Sequence, residues 1–316
     1  MKARWIHCIS IFLILCMFGA CAPTQTPSDG NDTITVVRPS FNTARAEFSM
    51  LFHLSDTQFE NGTGTTVTSI FKGAFTVTPA GKGYTLTLPE LQISITSGDA
   101  SLEFNAGATY TGEMAVRMIP FRALTETVFT AIPDETDHLE ALGGFEEVIT
   151  KIETETAPYG EKVKNQAISA LQEFLNENTL CYLIEKLLFG IHEGTQNKNE
   201  THSRFFDGLA PYSYSIQDKI TYTGRSGKAD VFAIDGIVSS VSKDKADGLL
   251  QSGLPYYEMS GTTAGTCTLF TQGNLLRSGS SSGSATGICY FPDKTESNGV
   301  PVSISRQLTY SVHKVD

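Results

Sequence analysis

Near the C-terminus, apolar residues occupy alternate positions: Val302, Ile304, Leu308, Tyr310 and Val312 fall on one face, with Arg306 the only break. A period of two sets these side chains on one side of an extended strand, a placement that a helix cannot give. The pattern recurs early in the body, with Phe48, Met50, Phe52 and Leu54 on one face. Thr66 to Thr78 lead into a turn at Pro79-Ala80-Gly81-Lys82-Gly83, after which Tyr84, Leu86 and Leu88 alternate with polar residues, a hairpin signal with glycine in the loop. Leu91, Ile93 and Ile95 continue the alternation, and Ser101 to Tyr110 and Glu113 to Ile119 read as further strands. The chain must therefore build an extended sheet with one apolar face.

The pattern changes at Pro133. Asp134, Glu135 and Asp137 supply the negative charge favoured at a helix start, and Leu139, Leu142, Phe145, Val148 and Ile152 recur at near-helical spacing across a weakening Gly143-Gly144 pair. Val163, Ala167, Ile168, Leu171, Phe174 and Leu175 form one apolar stripe, and Leu180, Leu183, Ile184, Leu187, Leu188 and Ile191 another. Asn176 to Thr179 separate or kink the two. Strand signals then resume to the end. The expected fold class is α+β and mostly antiparallel β: two sheet-forming halves, 44–132 and 196–316, flank a helical segment at 133–195. Ile220 to Lys228 echoes Phe75 to Lys82, a hint that the halves are related.

The first twenty residues have a different organisation. Lys2 and Arg4 precede an apolar run from Ile9 to Phe18, closed by Gly19-Ala20, the charged, apolar, small-residue order of a secretory signal. The run is well short of the ~20 residues a membrane-spanning helix needs. Residues 1–20 are therefore expected to be a signal and 21–43, rich in Pro, Thr, Ser and Asp, a flexible tether. Phe18-Gly19-Ala20-Cys21 resembles the lipobox of bacterial lipoproteins, with Phe18 in place of the usual leucine. That resemblance implies acylation of Cys21 and anchoring to the cell envelope, at the outer membrane if the cell has one, since Ala22 rather than aspartate follows. Several acyl chains anchor stably where one binds only marginally.

Of 23 Lys and Arg residues, two leave with the signal, so 21 face 34 Asp and Glu residues and the remaining chain carries a formal charge of −13. Nucleic acid is an unsuitable partner for such a surface. Beyond the signal and Cys21, three cysteines remain: Cys181, Cys267 and Cys289. The similar runs around Cys267 and Cys289 invite a disulfide, which requires the Ser278 to Ser284 stretch to loop back. If Gln272-Gly273-Asn274 turns a simple hairpin, the two lie too far apart to bridge.

Chemistry-bearing motifs are sparse. Gly279-Ser280-Ser281-Ser282-Gly283 matches the nucleophile-elbow pattern in letters, yet it sits in a Ser/Gly run followed by a strand signal, where the elbow needs a helix. Three S-x-x-K matches, at Ser240, Ser242 and Ser311, lack companion motifs. Asp134, Glu135, Asp137, His138 and Glu140 form the one dense cluster of metal-type ligands, without the spacing of a calcium loop. No catalytic residue, metal site or cofactor is assigned. The lone Trp5 falls in the signal, so any aromatic platform would come from Tyr212 and Tyr214, or Tyr256 and Tyr257.

The element order resembles uncharacterised bacterial envelope lipoproteins and, more loosely, periplasmic lipid and lipoprotein carriers. The resemblance implies a non-enzymatic, lipid-anchored envelope protein that binds an apolar ligand or a protein partner. The alternatives are an assembly or surface-interaction component and a cryptic hydrolase at Ser281. Replacing Cys21 with serine is expected to abolish incorporation of labelled palmitate and to release the protein from the membrane fraction.

Overall fold

The computed structural model describes residues 33–38, 40–56, 66–291 and 299–315; the expected signal and Cys21 lie outside them. One antiparallel sheet dominates. On the N-terminal side its strands are β2 (Thr43–Asp56), β3 (Thr66–Ala80), β4 (Gly83–Ser97) and β5 (Ala100–Asn105), preceded by the short β1 (Thr33–Val36). The C-terminal side supplies β8 (Thr201–Leu209), β9 (Tyr214–Ser226), β10 (Ala229–Ser240), β11 (Tyr256–Phe270), β12 (Leu275–Tyr290) and β13 (Val300–Val315). Between them lie α1 (Gly112–Arg117), α2 (Ile119–Thr125), β6 (Val128–Ala131), α3 (Phe145–Thr156), α4 (Glu161–Phe174), α5 (Glu177–Ile184) and β7 (Gly194–Asn197); α6 (Lys243–Gln251) follows β10.

Each half is a meander of sequential antiparallel neighbours, and the halves meet where β2 pairs with β13 along its length, from Thr43↔Val315 to Asp56↔Val302. The order is β5-β4-β3-β2-β13-β12-β11-β10-β9-β8, with β6 added beside β4, so the two halves form one sheet. The alternation expected from Phe48 to Leu54 and from Val302 to Val312 selects the inner face, and Arg306 lies on it, buried with its apolar neighbours.

Helices cover the inner face of the sheet. Asn176 ends α4 and caps α5, its side chain accepting from the Thr179 N–H at 3.0 Å. From Thr179 to Ile191 every residue is buried, through α5 and the π-helical turn Glu185–Phe189 that extends it. A helix buried all round sits in the core and not on its surface. The second apolar stripe thus closes the core instead of lining a ligand cavity.

Four segments depart from the sequence expectation. Residues 113–119 are helical, not extended: Met118, Phe121 and Leu124 are buried at threefold spacing, Glu113 pairs with Arg117 one turn on at 2.5 Å, and Pro120 opens α2. Residues 133–144 are not helix, because the Asp134 carboxylate accepts from the Thr136 and His138 N–H groups, Asp137 takes φ 62°, and Gly143 bridges to Thr130. Leu139 and Leu142 are buried regardless. α6 gave no apolar stripe because only Ala246 of it is buried. β1, inside the segment expected as tether, pairs with β7 and buries Ile34 and Val36, so the fold begins before residue 44.

The Ser278 to Ser284 stretch neither loops back nor forms a flexible hairpin; it is the middle of β12. Cys267 pairs opposite Gly279 and Cys289 opposite Tyr257, so ten residues of strand, roughly 33 Å, separate the cysteines along the ladder. Neither is in a disulfide, nor is Cys181, and the expected bridge does not form. The glycines of this ribbon have a structural use on the inner face. A Cβ on Gly261 or Gly265 would overlap a β12 carbonyl oxygen, and one on Gly283 or Gly287 a β11 carbonyl oxygen, so the two strands approach each other where only glycine fits. Gly287→Ala is expected to lower stability by about 1–3 kcal/mol in urea unfolding, whereas Ser280→Ala, on the exposed face of the same strand, should stay within ~0.5 kcal/mol.

Candidate functional site

One row across the inner face is polar. Reading along the hydrogen-bond direction, Arg204 pairs opposite Asp218, then come Gly236, Thr263, Gly283, Arg306, Phe52 and Ser69, each in register with the next. The flanking rows are mostly apolar or small, with Phe206, Ile216, Val238, Ala285 and Ile304 on one side and Ile220, Ile234, Leu308, Met50 and Phe71 on the other. Three side chains from the buried helix meet the row, at i, i+3 and i+4 of one helical face. Glu185 accepts from Arg204, Lys186 pairs with Asp218 at 2.5 Å, and the Tyr182 hydroxyl accepts from Arg306 Nη2 at 2.5 Å. Gly236 makes the row possible, since a Cβ there would collide with both the Thr263 hydroxyl and the Asp218 carboxylate.

Charges this deep need partners. Glu185 also accepts from the Leu139 N–H at 3.0 Å, and its Oε2 lies 2.9 Å from His138 Nδ1. Burial lowers the Lys186 pKa, but Asp218 outweighs it and the ammonium is held above its ordinary range. Arg306 is held protonated in the same way, burial opposing and the Tyr182 and Tyr214 hydroxyls favouring the charge.

At the outer end of the row, Asp137 joins the β7–β8 region to the segment before α3. Its carboxylate accepts from Arg38 Nη2 at 2.5 Å and from the Glu193 N–H at 2.9 Å, and lies 2.8 Å from His192 Nδ1. Burial pushes the Asp137 pKa up, but the Glu193 N–H and the Arg38 guanidinium together bring it below its ordinary value.

The opposite side of the row opens to an apolar cleft of about 220 Å³ at the rim of the sheet. Its walls are Leu54, Val67 and Ile95 from β2, β3 and β4, Phe174 at the end of α4, Leu254 just before β11 and Tyr257 at its start. Tyr212, on the turn between β8 and β9, stands at φ 77°, a left-handed conformation costly for a tyrosine. It is held there by edge contacts to Tyr257 and Phe52, ring centroids 5.3 and 6.0 Å away, and its hydroxyl lies 3.5 Å from that of Ser69. Glu173 reaches over the cleft from an exposed position, and desolvation by the apolar walls raises its pKa. A larger depression, about 370 Å³ across β13, β2, β3 and β4, is crossed by the self-satisfied Arg45–Glu90 and Arg45–Glu47 pairs. The rim cleft, with apolar walls and a few polar groups at its mouth, has the make-up of a ligand site.

The aromatic platform thus takes one tyrosine from each expected pair, Tyr212 and Tyr257. Tyr214 is buried beside Phe52, and Tyr256 stacks on Tyr290 instead. Ser281 lies mid-strand opposite Gly265 and Leu308, with no helix following, so the elbow geometry is absent. Asp134 closes its own turn, while Asp137 and His138 turn inward to separate partners, and no group of metal-ligating side chains gathers among the described residues. Burial pushes the Cys181 thiol up to about 12, away from reactivity. Among the described residues no helix is long and apolar enough to cross a membrane. The row itself was missed. Its one sequence signal was Arg306 interrupting an otherwise apolar face.

No family model matches this chain, and no curated protein is similar to it in sequence. Among solved structures it is similar to lipovitellin, described under the heading of lipid–protein interactions, with a TM-score of 0.43 and 8% identity over 88% of this chain and 26% of that one. The chain thus spans about a quarter of the lipovitellin chain. It is also similar to OccK3 (OpdO) of Pseudomonas aeruginosa, with a TM-score of 0.19 and 6% identity over 86% of this chain and 95% of that one.

Glu185→Ala is expected to lower stability by about 3–5 kcal/mol in denaturant unfolding, because it leaves Arg204 buried without its carboxylate. For Asp137 the folded pKa is the depressed one, so its contribution is present above the unfolded value near 3.9 and is lost as pH falls through the folded value. Unfolding curves between pH 7 and pH 2.5 should therefore show an acid loss in the native protein that Asp137→Asn lacks.

Proposed function

We propose that this protein is a lipid-anchored component of the bacterial envelope that binds a single apolar chain in the rim cleft without catalysing a reaction on it. The Cys21 lipid would hold the fold at the membrane surface, where such ligands are found. The observation that carries the reading is the cleft itself: six apolar walls from five separate parts of the chain, converging beside a strained tyrosine. About 220 Å³ is below the range of drug-sized pockets, which fits one chain or one apolar group better than a whole lipid. A second reading is supported by the edge strand β8, where Phe205 is 55% exposed beside unpaired backbone and would suit strand addition by a protein partner.

Organic extracts of protein purified from its native host are expected to contain a bound apolar compound. Val67→Trp, which fills the cleft from a partly exposed strand position, should weaken binding of a fluorescent apolar probe at least tenfold with little change in unfolding midpoint. Clean extracts, together with probe binding that Val67→Trp leaves intact, would remove this reading in favour of the protein partner.

A further inference from the structure

Glu173 is a carboxylate that carries a cost and has no partner in the fold. It lies in the last turn of α4, where the end of a helix disfavours negative charge. No basic residue shares that turn, and the positions one turn back are Ser169 and Ala170, so the helix offers it no ion pair. Among the described residues no donor reaches it, and desolvation is the single influence that moves its pKa, upward. Buried carboxylates elsewhere differ: Glu185 accepts from Arg204, Asp218 pairs with Lys186 and Asp137 with Arg38. Glu173 also stands where a ligand would be. It lines the rim cleft together with Phe174, Tyr212 and Tyr257, and among the described residues of that lining it alone is charged. Burial first, and the Glu173 charge among the lesser causes, raise the pKa of both Tyr212 and Tyr257, so the carboxylate is within electrostatic reach of the two. The hydroxyls of Ser69, Ser213 and Tyr212 are the other polar groups of the lining, and they are neutral.

We propose that the rim cleft takes an aliphatic ammonium: a single chain whose carbons lie against Leu54, Val67 and Ile95 and whose positively charged nitrogen sits at the mouth beside Glu173. A lone carboxylate, a helix C-terminus and aromatic rings each favour a cation and oppose an anion. The whole chain adds to the preference, with 34 Asp and Glu residues against 23 Lys and Arg. The nitrogen belongs outward because Glu173 is exposed, whereas the three aliphatic walls are at least partly buried. A fatty acid would bring a second carboxylate to the same mouth with no cation to separate the two, so the site discriminates by head group and not by chain. This names the ligand class of the cleft and rests on the cleft reading above.

Displacement of the fluorescent apolar probe at pH 7, below micelle formation, compares three chains of equal length that differ only in head group. Decylammonium is expected to bind at least tenfold more tightly than decanol, and decanoate at least tenfold more weakly, with both gaps narrowing as ionic strength rises. Glu173→Gln should bring decylammonium down to decanol without changing decanol. Glu161→Gln, which removes the same charge from the far end of α4, should leave all three unchanged. Glu173→Gln takes a desolvated charge off the mouth, so its urea unfolding midpoint is expected to be no lower than that of wild type. Equal binding of the three chains, or decanoate the tightest, with Val67→Trp weakening them all, would overturn the inference and leave the cleft reading standing. A decylammonium preference that Glu161→Gln lowers as much as Glu173→Gln would also overturn it, by assigning the preference to overall charge. No displacement by any chain, or displacement that Val67→Trp leaves intact, removes the cleft reading itself and this inference with it.

Discussion

The structure depends on a buried electrostatic seam. Glu185 and Lys186 are consecutive residues of a helix that is closed off from solvent on every side, and each meets an opposite charge on the sheet. Desolvating such groups is costly, and the cost is recovered only when helix and sheet are in one register. A shift of the helix by one turn would leave four charges unpaired. A slip of any strand by one residue would move its member of the row to the outer face. The apolar rows on either side supply burial, which is not directional, and the seam makes one arrangement of it far better than the others.

That seam in turn dictates the glycines. The inner face must hold a helix, and in the β11–β12 ribbon the two strands approach so closely that side chains beyond hydrogen are excluded. At Gly236 the missing side chain leaves room for the Thr263 hydroxyl and the Asp218 carboxylate of the row. Small inner residues therefore serve close strand approach and, at Gly236, charge accommodation. Their cost is a ribbon with little side-chain packing of its own, stabilised by its full-length ladders to β10 and β13.

With the concave side occupied by its own helix, the molecule keeps its apolar opening at the rim, where β2, β3 and β4 run past the end of α4. Phe52, whose ring contacts Tyr212 of the cleft, separates it from the buried Arg306.

Much of this architecture was legible in the sequence. Period-two runs such as Phe48 to Leu54 and Val302 to Val312 identified strands and their buried face, because alternation is a local property of extended chain. The stripes at 163–175 and 180–191 identified helices for the same local reason. What tertiary structure alone decided were matters of pairing. Whether Gly279 to Gly283 is loop or strand, whether Cys267 meets Cys289, and which two of four tyrosines share a cleft all depend on register between distant segments. The row from Arg204 to Arg306 shows the limit most clearly: its residues are spread over six strands and one helix, each looks like an isolated polar exception in its own segment, and only strand pairing puts them side by side.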